Sequence, residues 1–150
     1  MRITDPSKLT ENQKQLLAKS LAKQTTARQL KPFKPFEIKI PMEVKSNNYW
    51  LKAHWSKRGK YSQHALSYLQ IRGHTNYEPC NQKRHVAYTR MMSKGQRAFD
   101  EDNLIAGFKG IQDALKKAGI IKEDTPNWIK ATYEQKRSDT NYPYMIIKVE

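Results

Sequence analysis

Residues 99–119 read FDEDNLIAGFKGIQDALKKAG, and this stretch decides the fold. Leu104, Phe108, Ile111 and Leu115 recur at spacings of four, three and four, the period of a helix that buries one face. Gly119 ends it, as glycine commonly does just past a helix C-terminus. Ahead of the helix stands Asp100-Glu101-Asp102-Asn103, where extended chain gives way to helix; the alternation of an extended segment would point Asp100 and Asp102 the same way.

Working outward, the basic turn Lys94-Gly95-Gln96-Arg97 joins this helix to a strand expected over Arg84–Met91, rich in Val86, Tyr88 and Thr89. Downstream, the loop Ile120–Asn127 leads to two alternating segments, Trp128–Arg137 and Tyr142–Val149. The intervening Ser138-Asp139-Thr140-Asn141 reads as a hairpin turn. Nearer the N-terminus, Phe36, Ile38, Ile40, Met42 and Val44 alternate with Glu37, Lys39 and Glu43 in a strand whose Pro41 marks an edge or a bulge. Ser46-Asn47-Asn48 reads as a turn. Ser56–Arg72 places Tyr61, Ala65, Tyr68 and Leu69 at helical spacing before Gly73 stops the run.

The order strand, helix, strand, helix, strand, strand predicts an α+β domain, a mixed sheet with its helices on one face. A further helix is expected over Thr10–Gln24, with Thr10 and Gln13 at capping-box spacing and Leu17 and Leu21 in a thin apolar stripe. Lys31-Pro32-Phe33-Lys34-Pro35 cannot continue a helix and reads as a linker. The expected division is therefore a helical appendage and linker at 1–35 and one compact domain at 36–150, which suits a chain of 150 residues.

The charge is strongly unbalanced: 28 Lys and Arg against 14 Asp and Glu, a formal +14. Counterion release favours a nucleic-acid partner for such a chain, although charge alone does not separate DNA, RNA and acidic lipid. No apolar run is long enough to cross a bilayer, and Met1-Arg2-Ile3 leads into polar sequence rather than a signal peptide, so a soluble, cytoplasmic protein is expected. The single cysteine, Cys80, has no internal disulfide partner, and His54, His64, His74 and His85 lack the short spacing of a zinc site. Up to Phe99 the chain holds 20 basic residues against 5 acidic, whereas from Asp100 onward it holds 8 against 9. Six of the fourteen carboxylates lie between Asp100 and Asp124, where they would repel DNA unless they have a task.

One task is metal binding. Magnesium takes hard oxygen ligands and keeps several waters, so two or three converging carboxylates make a site that phosphate oxygens can complete. Glu123 and Asp124 form a second acidic cluster just past the helix, and joining the first requires the chain to fold back along it. The competing reading is purely structural: Asp before a helix is most often an N-cap, and acids there suit the helix dipole. Lys109, seven residues past Asp102, either shares a face with the acids and stabilises charge building on a phosphate, or simply pairs with Asp113 one turn on. Lys57, Arg58 and Lys60, near Trp50, His54 and Trp55, suit phosphate contact with base stacking, and Arg97 extends the basic surface; the aromatics equally suit a core. An EF-hand loop, a Walker A loop and a nucleophile elbow are all missing.

Taken in order, Asp-Glu-Asp-Asn-Leu at 100–104, Lys109, Asp113-Ala114-Leu115, Ala118-Gly119 and Glu123-Asp124 resemble the acidic core of RusA-type Holliday-junction resolvases, the enzymes of phages and prophages. The likeness covers roughly Phe36 to Glu150, more loosely through Ser46-Asn47-Asn48 and His54–Arg58. It implies a homodimer that makes paired nicks in four-way DNA junctions using magnesium, with manganese as an alternative, in a bacterial or phage-infected cell. Residue by residue, it makes Asp100, Asp102 and Asp124 the metal-binding carboxylates, with Glu123 beside them, and Lys109 the assisting lysine. Two departures stand out: Glu123 replaces the first Asp of an Asp-Asp pair, and Lys109 lies three residues farther along the helix than in the bacterial prototype. A non-catalytic nucleic-acid-binding module and a nuclease for other branched DNA are the alternatives.

Overall fold

The computed structural model describes residues 10–16 and 29–150. Four strands, β1 (Phe36–Ile40), β2 (Arg84–Met92), β3 (Ile129–Arg137) and β4 (Tyr144–Val149), form one mixed sheet in the order β1-β4-β2-β3. β4 runs antiparallel to both β1 and β2, and β3 runs parallel to β2, Arg84 facing Ile129 and Met92 facing Arg137. The architecture is the α+β class with a mixed sheet.

The hairpin expected between the last two strands does not form, because β2 lies between them. The segment after β3 instead crosses the end of β2, where the Ser138 N–H donates to the Met92 carbonyl at 2.8 Å. The reason is hydrogen-bond demand: β2 is buried over most of its length and needs ladder partners on both edges. A local turn signal carries no information about a strand more than forty residues away.

Ile38, Ile40, Val86, Tyr88, Ile129, Met145, Ile147 and Val149 are buried on one face of the sheet. They meet the apolar stripe Leu104, Phe108, Ile111 and Leu115, all buried as the periodicity requires. The helices are α1 (Asn47–Lys52), α2 (Trp55–Ile71), α3 (Glu101–Gly107) and α4 (Lys109–Lys117). Two boundaries differ from expectation. β1 stops at Ile40, where Pro41 interrupts the ladder, although Val44 is still buried. Ser46 opens a helix rather than a turn, its hydroxyl accepting the Tyr49 N–H at 3.2 Å. The helix after Asp100 is also broken into α3 and α4 at Phe108, whose N–H bonds the Ile105 carbonyl three residues back at 3.1 Å.

Near the N-terminus, residues 11–16 are helical and the capping box is made: the Thr10 N–H reaches Gln13 Oε1 at 3.0 Å and the Gln13 N–H reaches Thr10 Oγ1 at 3.4 Å. The rest of that expected helix, including Leu17 and Leu21, lies outside the described residues. The proline-containing linker packs on the domain. Lys31 bridges to Tyr77, and the Arg84 guanidinium lies 3.5 Å from the centre of the Phe33 ring. No described helix is long and apolar enough to cross a membrane.

The crossover helices sit very close to the chain ahead of α1. A Cβ on Gly107 would lie 2.6 Å from the Lys45 carbonyl oxygen and 2.7 Å from Val44 Cγ1. Gly59 in α2, by contrast, has nothing within 4 Å of the same atom. Gly107→Ala is therefore expected to cost about 1–3 kcal/mol through overpacking, while Gly59→Ala should gain about 0.5–1 kcal/mol from helix propensity. Urea denaturation of the two variants checks this; equal midpoints would show that α3 can move away from Lys45 at no cost.

Candidate metal and nucleic-acid site

The acidic start of α3 is set by a cap. Asp100 is the N-cap, its Oδ1 accepting the Asn103 backbone N–H at 2.8 Å and its Oδ2 accepting the Asn103 side-chain amide at 2.9 Å. These donors, the backbone N–H foremost, hold the Asp100 carboxyl below its ordinary value. Asn103 Oδ1 in turn accepts the Asn47 N–H at 3.0 Å, tying the start of α3 to the start of α1. The helix begins at Glu101, so Asp102 lies inside its first turn. Strand alternation therefore does not relate Asp100 to Asp102; both side chains are exposed, but a helix start, not an extended segment, places them.

A buried latch delivers the chain to Asp100. Arg90, 3 % exposed, lays its guanidinium 3.5 Å from the centre of the Phe99 ring and donates to the Arg97 carbonyl and to Gln135 Oε1, both at 3.1 Å. Gln135 also exchanges two hydrogen bonds with the backbone of Phe99, at 2.9 and 2.7 Å. Burial lowers the Arg90 guanidinium from its ordinary value, with Glu43 nearby offsetting part of the shift. Arg90 and Gln135 did not stand out in the sequence, and Asn47 was read only as part of a turn. The Asn of the Asp-Glu-Asp-Asn-Leu stretch, Asn103, carried a usable hint, as an amide three residues past a capping Asp.

The second acidic cluster is turned back by a Schellman motif. Gly119, with φ +75°, lets its N–H reach the Lys116 carbonyl and the Ile120 N–H reach the Leu115 carbonyl, each at 3.0 Å, with Ile120 and Leu115 both fully buried. The chain then returns part of the way along α4, and Asp124 ion-pairs with Lys109. Lys109 thus reaches an acid fifteen residues later rather than Asp113 one turn on. Glu123 pairs with Lys116 instead. Among the described residues no three His, Cys, Asp or Glu side chains are grouped to hold one metal ion, so Asp124 and Glu123 do not join Asp100 and Asp102 in a single cluster. The donor chemistry of Asp100 and Asp102 still suits magnesium, which is commonly held by one or two carboxylates with water and substrate phosphate.

The basic residues lie along adjoining clefts. Arg97 shares one with Glu43, Lys45, Ser46, Tyr49 and Phe99; Lys45 and Tyr49 also line the next, with Lys57, Lys60, Tyr61 and His64. Arg58 lies in a third cleft with Lys109 and Asp124. Lys57, Arg58 and Lys60 are exposed on the first turns of α2, and one Arg58 nitrogen donates to the Trp50 carbonyl at 2.8 Å. The nearby aromatics divide: Trp50 is buried edge-on against Tyr61, ring centres 4.9 Å apart, whereas Trp55 is 77 % exposed. Lys45 is a cation of this surface that the sequence did not single out.

No protein-family model matches this chain, and no curated protein matches it.

Because its folded-state carboxyl is held low, ionised Asp100 stabilises the native chain fully above the ordinary carboxylate range, and that contribution fades as pH falls through the lowered value. Asn103→Ala removes the side-chain amide but keeps the backbone N–H, so it is expected to raise the Asp100 value only part of the way toward the ordinary one, as read by carboxyl carbon chemical shifts during acid titration. An unchanged titration would show that the Asn103 side chain does not help hold this carboxylate.

Proposed function

We propose that this chain is a magnesium-dependent, structure-specific endodeoxyribonuclease that acts as a homodimer and makes paired nicks in four-way DNA junctions. The observation that carries this reading is the return of the chain after α4. It sets Asp124 on Lys109, so an acid and a lysine that the RusA-type resemblance assigns to one site line one cleft, on the same helix pair that Asp100 and Asp102 head. The excess of 28 basic residues over 14 acidic ones, and the run of clefts carrying Arg97, Lys57, Lys60 and Arg58, support a polyanionic substrate. Such a protein works in the cytoplasm of a bacterium or of a phage-infected cell.

In this reading Asp100 and Asp102 would hold the cation, and the resemblance adds Asp124, here paired with Lys109, as a third carboxylate. Magnesium, or manganese in its place, would supply Lewis-acid stabilisation of charge on the phosphate and activation of the attacking water. The chain's own residues do the rest. Asn103 orients Asp100, the Arg90–Phe99–Gln135 latch fixes the backbone that leads to it, and Lys109, freed from Asp124, places a positive charge where the phosphate gathers negative charge. Lys57, Arg58, Lys60 and Arg97 hold the DNA backbone in register, and Glu123 keeps Lys116 occupied beside the site. Two symmetric cuts call for two copies related by a twofold axis.

A second reading also has an observation behind it. Both Asp100 oxygens are taken by Asn103 and the carboxylates do not form a group of three, as expected for a nucleic-acid-binding module whose acids only cap and pair. The two separate on cleavage of a labelled synthetic four-way junction, compared with matched linear duplex, in magnesium and in chelator. The expected result is paired nicks in the junction alone and only with magnesium. Asp102→Asn should bind the junction normally yet cut at least about a hundredfold more slowly. Tight binding without cutting in either condition would establish the module, and stronger cutting of flaps or forks would move the substrate to other branched DNA. Lys109→Ala at wild-type rate would reduce that lysine to an ion-pair partner, and sedimentation showing only monomers, with and without DNA, would remove the dimer.

A further inference from the structure

The third cleft has features that metal binding and phosphate contact do not use. It encloses about 670 Å³ between α2 and the α3–α4 pair, a size typical of small-molecule sites. Three aromatic residues, Trp50, Tyr61 and Tyr133, are among those that line it. Polar atoms face it too. Ser62 is 4 % exposed, and its hydroxyl has no hydrogen-bond partner among the described residues, although it lines the cleft. A buried hydroxyl with no partner is costly and marks a place where a ligand group can bond. Gln112, 6 % exposed, donates its amide to the Tyr133 hydroxyl at 2.6 Å, which leaves the phenolic proton free to donate onward. Arg58, Lys109 and Lys117 supply cations to the same cleft, against the carboxylates of Asp113 and of Asp124, the latter paired with Lys109.

Flat walls, hydroxyl donors and acceptors, and cations together match one kind of ligand: a nucleobase still joined to its phosphate. We propose that this cleft receives one unpaired nucleotide from the branch point, its base between the aromatic walls, its edge on Ser62 and Tyr133, and its phosphate on Arg58 and Lys109. A base at a branch point is already partly unstacked, so less energy is needed to extrude it than from continuous duplex. The cleft then selects branched DNA through the availability of a free base. This inference rests on the junction reading above and adds to it where discrimination resides.

The test is photocross-linking of the full chain, in chelator, to a synthetic four-way junction carrying 5-iodouracil at single positions beside the crossover, with cross-linked residues located by mass spectrometry. The expected attachment is to Trp50, Tyr61 or Tyr133 from at least one position. Gly59→Leu, which adds a side chain from open space at the edge of the cleft, should lower that yield per bound complex at least tenfold. Cross-links confined to residues outside the cleft, such as exposed Trp55, overturn the proposal while leaving junction cutting in place, as does a yield that Gly59→Leu does not change. A wild-type chain that neither retains nor cuts the junction overturns the functional reading and this inference with it.

Discussion

The parallel pairing of β2 with β3 is the constraint on which the rest depends. Parallel neighbours cannot be joined by a tight turn, so the chain must cross back over the sheet between Met92 and Ile129. α3 and α4 are that crossing, and their apolar stripe supplies the cover that the inner face of the sheet needs. Every acidic residue from Asp100 to Asp124 lies on this one connection. The connection also accounts for their separation: Asp100 and Asp102 stand where it begins, Asp124 on its return, and Lys109 in between.

Close packing fixes where the crossing lies. Gly107 lets α3 approach the Val44–Lys45 backbone, Gly110 leaves room for the Tyr61 ring, and Asn103 bonds the Asn47 N–H. The cleft that holds Lys109 and Asp124 is thus a by-product of how tightly the helix pair sits on its neighbours. Its walls come from α1, α2, α3, α4 and β3, elements spread over most of the domain's chain.

The electrostatic arrangement answers part of an apparent contradiction in the composition. A cluster of carboxylates in a protein of charge +14 should repel a polyanion, yet three of them have local partners. Asp100 is satisfied by Asn103, Glu123 by Lys116 and Asp124 by Lys109. The Asp102 side chain stays exposed and makes neither an ion pair nor a hydrogen bond among the described residues. Only Glu123 and Asp124 are balanced by cations; Asp100, though hydrogen-bonded, keeps its charge, and with Glu101, Asp102 and Asp113 it leaves a local acidic patch on a basic chain.

Most elements and their buried faces were legible in the sequence, because burial imposes a period that neighbouring residues must obey: the Leu104–Leu115 stripe, the edge strand with Pro41 and the capping box at Thr10 are all local patterns, whereas the helix opened by Ser46 and the break at Phe108 were not. The sequence also marked the acidic stretch, since its residues are contiguous. Only the tertiary structure decided how the strands pair, placing β2 between β3 and β4 where the local turn suggested a hairpin, because ladder partners are chosen by hydrogen-bond demand across the whole sheet. It likewise decided that Lys109 meets Asp124 rather than Asp113, that Trp50 is buried while Trp55 is not, and that Arg90 and Gln135 hold Phe99. Each of these depends on distances between residues far apart in the chain, which periodicity and spacing do not encode.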